Sequence, residues 1–227
     1  MAKGTVMIKG AIFDMDGTLL DSMPVWEHAS ERYLARKGIV AEKNLSEILF
    51  SMSMREGATY VKEKYGLTEA VDVIIDGVNS IVYGAYERDV QPKSCVEEFL
   101  RQLKEAGVPM VVATSSDRKM AEVAFERIGF LPYFKKIFTC SEVGAGKSKP
   151  DIYFAAAECL GTKPEETWVF EEALYAIETA KKAGFRTVGL FDATSAKDQK
   201  QIQAIADVYV EGWNGATMGA KRNGECI

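Results

Sequence analysis

The sequence predicts an α/β fold, a doubly wound parallel sheet with an all-helical block inserted after its first strand. Three observations predict it. Short apolar runs alternate with helical patterns through the second half of the chain, and a glycine closes most of those helices. The stretch Pro24–Arg88, by contrast, contains helical patterns and no strand pattern.

In chain order, Val6–Asp14 (VMIKGAIFD) reads as a first strand, rich in Val, Ile and Phe and ending in a Gly/Thr turn. Helical periodicity then runs through Val25–Lys37, Leu45–Phe50, Arg55–Tyr65 and Glu69–Tyr86, punctuated at Gly38 and Gly66. After Pro92 a helix is expected over Cys95–Ala106, a strand over Pro109–Ala113 and a helix over Lys119–Ile128. A strand over Lys136–Cys140 and a helix over Asp151–Leu160 follow, then a strand over Thr167–Phe170. The series closes with helix Ala173–Ala183, strand Arg186–Leu190, helix Ala196–Ala206 and the short strand Asp207–Val210. Repeated strand–helix units of this kind build parallel sheets. The expected domains are a core formed by 1–21 and 92–213, an inserted helical domain at 22–91, and a polar, Gly-rich and loosely ordered tail at 214–227.

The bulk numbers limit the function classes. With 227 residues, the chain suits one core carrying a large insertion. A composition 47% hydrophobic and 27% charged is ordinary for a globular protein with a real core. The net charge of −5 offers no electrostatic footprint for nucleic acid or anionic membrane, so neither is expected as a partner. Cys95, Cys140, Cys159 and Cys226 lie far apart without C-x-x-C spacing, and reduced thiols are expected. No signal-like or membrane-length apolar run is present in the sequence, which leads to the expectation of a cytoplasmic protein, taken as a monomer.

In open α/β sheets ligands bind past the carboxyl ends of the strands, so the polar residues there are the candidates. The first predicted strand is followed by Asp14, Asp16, Gly17 and Thr18, and the second by Thr114, Ser115 and Ser116. The third leads into a loop ending in Lys147, Ser148 and Lys149, and the fourth is followed by Glu171 and Glu172. Two carboxylates two residues apart at a strand end repel unless a cation compensates. Hard oxygen ligands without a Cys/His cluster favour Mg²⁺. Taken alone, the Asp-x-Asp pair would read as a turn and helix-cap signal.

The run FDMDGTLLDS, with the other strand ends in order, resembles the signature of the haloacid dehalogenase-like (HAD) superfamily, over about Ile8 to Trp213. The resemblance is to its capped phosphatase and β-phosphoglucomutase-like members, and it implies a Rossmann-like core with the helical block as a cap. It implies that Asp14 attacks phosphorus and that Asp16 acts as general acid and base, with its carbonyl ligating the metal. It further implies that Thr114 and the Ser115 backbone N–H hold phosphoryl oxygens and that Lys149 in KSKPD neutralises charge. Glu171 and Glu172 would anchor Mg²⁺ together with Asp14 and Asp16. The second acidic position is usually Asp in this family; here VFEEAL places Glu172, one methylene longer. The implied activity is a Mg²⁺-dependent phosphatase acting on a small phosphorylated metabolite through an aspartyl-phosphate. The alternatives are a sugar-phosphate mutase and a low-activity phosphate-binding relative.

Other signals are weaker. Gly144–Ser148 (GAGKS) lacks the first glycine of a P-loop, because position 141 is Ser. His28, the one histidine, fits a helix surface, and the position twelve residues after Asp14, where related mutases carry a cap histidine, is Trp26. Trp26, Met54 and Arg55 are candidates for substrate contact, although Arg55 and Lys62 also suit a solvated helix face. Cys140 has no neighbouring histidine in sequence and reads as inert packing.

Overall fold

The computed structural model describes residues 8–49, 52, 54–215, 221–222 and 225–226. Six parallel strands form its main sheet: β1 (Gly10–Phe13), β2 (Met110–Thr114), β3 (Ile137–Thr139), β4 (Thr167–Glu171), β5 (Arg186–Leu190) and β6 (Val208–Val210). Their order across the sheet is β3-β2-β1-β4-β5-β6, the doubly wound arrangement expected. The chain divides into a sheet-bearing unit, Met1–Asp21 with Gln91–Ile227, and a helical unit, Ser22–Val90.

The helical unit contains α1 (Met23–Glu27), α2 (Ala29–Arg36), α3 (Leu45–Leu49), α4 (Met54–Tyr65) and α5 (Val71–Arg88). The single helix expected over Val25–Lys37 is two, because the backbone leaves helical geometry at His28 (φ −103°, ψ 6°). Leu34, Leu45 and Val61 form this unit's own core, with Ile39, Leu49, Tyr60 and Tyr65 packed around them. The sheet-bearing unit carries α6 (Val96–Glu105), α7 (Arg118–Ile128), α8 (Cys140–Val143), α9 (Asp151–Leu160), α10 (Leu174–Lys182) and α11 (Gln199–Ile205). Gly129 and Gly161 end α7 and α9 in left-handed geometry, as their placement in sequence predicts.

Strands β1 and β4 are buried along their whole length, as a sheet with both faces covered requires. The period of two then sorts their side chains. Ile12 lies in register with Val111 and Val169, and all three pack with Ile152, Tyr153 and Ala156 of α9. Phe13 turns to the other face and stacks on its register partner Phe170, ring centroids 4.4 Å apart. Phe99 of α6 and Trp213 complete that aromatic cluster. One residue beyond Phe13 and Phe170 stand Asp14 and Glu171.

Several boundaries differ from the sequence reading. The first strand begins at Gly10, while Val6 and Met7 lie outside the described residues. Helix α8 was not expected; its four residues are too few for periodicity to register. Thr139 caps it by accepting from the Glu142 N–H at 3.3 Å. The helix expected over Ala196–Ala206 is a 3-10 segment, Ala193–Asp198, followed by α11. Asp192 starts that segment by accepting from the Thr194 N–H at 2.9 Å. Much of the tail at 214–227 lies outside the described residues, and within it Lys221–Arg222 pairs antiparallel with Glu225–Cys226. Among the described residues no helix is long and apolar enough to cross a membrane.

Candidate active site

The chain winds outward from β1 and β4 in opposite directions, and the crevice at their carboxyl ends holds the acidic residues. Asp14 follows β1 directly and is buried, its N–H donating to the Phe170 carbonyl at 3.0 Å. Gly17 makes the turn that brings the chain back, at φ +80°, where a side chain would be strained. Its N–H donates to the Leu20 carbonyl at 2.9 Å.

Asp14, Glu171 and Glu172 each present a carboxylate oxygen, and the three oxygens lie within 4.8 Å of one another. Buried Lys147 answers this charge: its ammonium donates to Asp14 Oδ1 and, at 2.8 Å, to Glu171 Oε2. Glu171 Oε1 accepts from the Ala173 N–H at 3.3 Å. Glu172 Oε2 accepts from the Thr18 hydroxyl at 2.8 Å. Asp14 Oδ2 is buried and has no hydrogen-bond partner.

Three carboxylates against one ammonium leave excess negative charge in a place of low dielectric. Burial pushes the Asp14 carboxyl up to about 7 against the lowering pull of Lys147, and Glu171 and Asp16 add to the rise. Burial likewise raises Glu172, with Glu171 and Asp14 contributing. For Lys147 burial acts downward, but Asp14 and Glu171 outweigh it and hold the ammonium well above the usual lysine range. A divalent cation fits this constellation on two counts: an oxygen-only donor set, and an orphaned buried oxygen on Asp14.

The remaining expected residues distribute as follows. Asp16 is partly buried, and its Oδ2 accepts from the Ser116 hydroxyl at 2.6 Å. Thr114 ends β2, fully buried, and its hydroxyl accepts from the Ser116 N–H at 3.0 Å. Ser115 is exposed, with its hydroxyl 3.5 Å from Cys140 Sγ.

The expectation for the lysine is corrected. Lys149 is exposed, and Lys147 occupies the place beside Asp14. The loop turns between them, with the Lys149 N–H donating to the Gly146 carbonyl at 2.9 Å, so the two side chains diverge. Both lysines stand in the same short polar run, and periodicity does not rank residues within a turn. Thr18 and Ser116 were visible as strand-end hydroxyls, whereas their partners Glu172 and Asp16 lie 154 and 100 residues away in sequence. The candidates in the helical unit are engaged within it: Trp26 Nε1 donates to the Tyr86 hydroxyl at 2.9 Å, and Arg55 pairs with Asp72 at 2.5 Å. Met54 is 40% exposed. His28 is exposed, with Nδ1 2.9 Å from Glu31 Oε2.

With sheet order, switch point and acidic cluster in place, comparison with known proteins assigns the class. A family model described as haloacid dehalogenase-like hydrolase matches residues 8–184. The chain belongs to this family. It is 32% identical over 209 residues to validoxylamine A 7'-phosphate phosphatase of Streptomyces hygroscopicus subsp. limoneus, covering 90% of this chain and 94% of the relative. Hexitol phosphatase A of Escherichia coli is 26% identical, over 96% of this chain and 98% of its own. Phosphorylated carbohydrates phosphatase of Thermotoga maritima is 26% identical, with 80% and 84% covered. Among solved structures, a HAD hydrolase of family IA, variant 3, from Entamoeba histolytica superposes with a TM-score of 0.77 at 21% identity, covering 92% and 96%. The β-phosphoglucomutase of Clostridium difficile superposes with a TM-score of 0.70 at 19% identity, covering 93% and 94%. These two likenesses concern the fold. The chain is an enzyme, a HAD-type phosphoric monoester hydrolase.

Proposed function

We propose that this enzyme is a Mg²⁺-dependent phosphatase that hydrolyses a small phosphorylated metabolite through an aspartyl-phosphate on Asp14. The observation that carries this reading is the clamp on Asp14: Lys147 holds Oδ1 and leaves Oδ2 buried without a hydrogen-bond partner, beside two further carboxylates. Relatives named as phosphatases of a validoxylamine phosphate, of phosphorylated carbohydrates and of hexitols support a phosphorylated sugar or polyol as the substrate class.

Asp14, Glu171 and Glu172 would hold the metal, together with the Asp16 carbonyl that the family resemblance supplies. Bound there, Mg²⁺ would offset the excess negative charge and polarise the phosphoryl group. The protein's own residues do the rest. An Asp14 carboxylate oxygen forms the new bond to phosphorus as the ester P–O bond breaks, and Asp16 gives its proton to the leaving alkoxide. Asp16 then takes a proton from the water that attacks phosphorus, the bond to Asp14 breaks, and inorganic phosphate leaves. Ser116 orients Asp16 for both proton transfers. Thr114 and the Ser115 backbone bind phosphoryl oxygens, and Lys147 favours the ionised form of Asp14 against its burial and steadies the incoming charge.

The test is phosphate release from a panel of sugar and polyol phosphates, with Mg²⁺ and with chelator. Release is expected to require Mg²⁺ and to disappear in Asp14→Asn. Full activity in that variant would exclude the covalent route. Isomerisation primed by a bisphosphate, with little phosphate released, would establish a mutase instead.

A further inference from the structure

Trp213 opens a 3-10 turn, Trp213–Gly215, shortly after β6 and nearly two hundred residues from the Asp14 turn in sequence. It is 3% exposed and touches none of the three clustered carboxylates in the contacts described. It does engage the segment that carries each of them. Its ring lies 6.0 Å from Phe13, which precedes Asp14, and is stacked 5.8 Å from Phe170, which precedes Glu171. Its indole N–H donates to the Thr18 carbonyl at 2.9 Å, and the Thr18 hydroxyl donates to Glu172 at 2.8 Å.

We infer that Trp213 is a positioning residue for the metal carboxylates, acting through Thr18, an inference that rests on the magnesium reading above. Glu172, like Glu171, reaches one methylene further from the backbone than Asp14, yet it lacks the direct lysine bond that fixes Glu171. Its Oε2 is held by the Thr18 hydroxyl, with the neighbouring Glu171 carboxylate also within hydrogen-bonding reach. That hydroxyl is aimed by a turn whose backbone is anchored at the Thr18 carbonyl by Trp213. A phenylalanine could fill the same space, but it would leave the Thr18 carbonyl without this tether. Residues that orient metal ligands from behind typically change metal affinity by about 10–100-fold when removed.

The experiment uses the full-length chain as wild type, Trp213→Phe, Thr18→Val and the double variant, with Mg²⁺ binding followed by calorimetry. Trp213→Phe keeps an aromatic ring and removes the N–H. Each single variant is expected to bind Mg²⁺ about tenfold more weakly. The double is expected to be no weaker than the weaker single, as for two links of one chain. The substrate KM at saturating Mg²⁺ is expected to stay at the wild-type value. A Trp213→Phe protein that melts lower but binds Mg²⁺ as the wild type does would make Trp213 a core filler and overturn the inference; additive losses in the double would overturn the route through Thr18.

A second measurement leaves Trp213 in place. In 5-fluorotryptophan-labelled protein, whose three tryptophans are assigned with Trp26→Phe and Trp168→Phe, the Trp213 ¹⁹F resonance is expected to shift on Mg²⁺ saturation. The shift is expected to vanish in Thr18→Val. A resonance that does not move in the wild type overturns the coupling even if Trp213→Phe fails to fold. Absence of Mg²⁺ binding by the wild type would remove the metal reading itself, and this inference with it.

Discussion

Lys147 and Lys149 differ by one intervening serine and by everything that matters to the chemistry. Lys147 is buried against Asp14 and Glu171, while Lys149 is exposed. A cation aimed at developing charge in a water-poor site contributes far more than one in solvent. Lys147→Met is therefore expected to lower kcat/KM by about 100-fold or more, and Lys149→Met to leave it near wild type. Steady-state kinetics on the two variants check this, and equal losses would return Lys149 to the site. Glu172 illustrates the same scale. Its longer arm does not exclude it from the cluster, because Thr18 takes up one of its oxygens.

At the scale of elements, the starts of α6 and β6 carry testable features. Cys95 stands at the N-terminal boundary of α6 with φ +65°, and its side chain makes no capping hydrogen bond. Left-handed geometry costs an L-residue roughly 1–2 kcal/mol, part of which glycine returns through its freer unfolded chain. Because Cys95 is exposed, little packing is lost on truncation. Cys95→Gly is expected to stabilise the protein by about 0.5–1 kcal/mol, a rise of about 1–4 °C in Tm by calorimetry. Asp207, just before β6, ties that edge strand to β5. Its Oδ2 accepts from the Thr187 N–H at 2.9 Å and hydroxyl at 3.1 Å, and Oδ1 pairs with Lys181 at 2.8 Å. Burial alone would raise its carboxyl, but the Lys181 and Thr187 hydrogen bonds and the Arg186 charge bring it below the ordinary carboxylate value. A depressed folded-state pKa means stability that is complete above the ordinary value of 3.8 and lost as pH falls through the folded value. Asp207→Asn is expected to cost about 1–2 kcal/mol at pH 7 in urea unfolding, and progressively less as the pH falls below 3.8. A penalty independent of pH would place the contribution in packing rather than charge.

Over the whole molecule, the site is a local concession in stability made by a well-packed sheet. Asp14, Glu171 and Glu172 share one ammonium in a buried crevice, whereas the layers behind them are aromatic and aliphatic. Removing one of the carboxylates that crowd this single ammonium should relieve the repulsion in metal-free protein, because Lys147 keeps its bond to Glu171. In chelator, Asp14→Asn is expected to melt higher than the wild type. Mg²⁺ at 100 times its Kd is expected to stabilise the wild type by about 2.7 kcal/mol. Differential scanning calorimetry of both proteins, with and without Mg²⁺, reads the two effects. A lower Tm for metal-free Asp14→Asn would show that its pair with Lys147 outweighs the repulsion.

Sequence alone determined the class of fold, the helical block after the first strand, and the strand ends at which polar groups would gather. Those features are written in local patterns: apolar runs such as GAIF, the Asp-x-Asp-Gly-Thr turn, and glycines at helix ends. Only the tertiary structure decided which lysine faces Asp14, that Ser116 holds Asp16, and that Thr18 and Trp213 stand behind Glu172. The reason is physical. Periodicity assigns a residue to a face of a helix or strand, but turn residues have no period. Partners separated by 100 to 195 positions meet only once the sheet order is set.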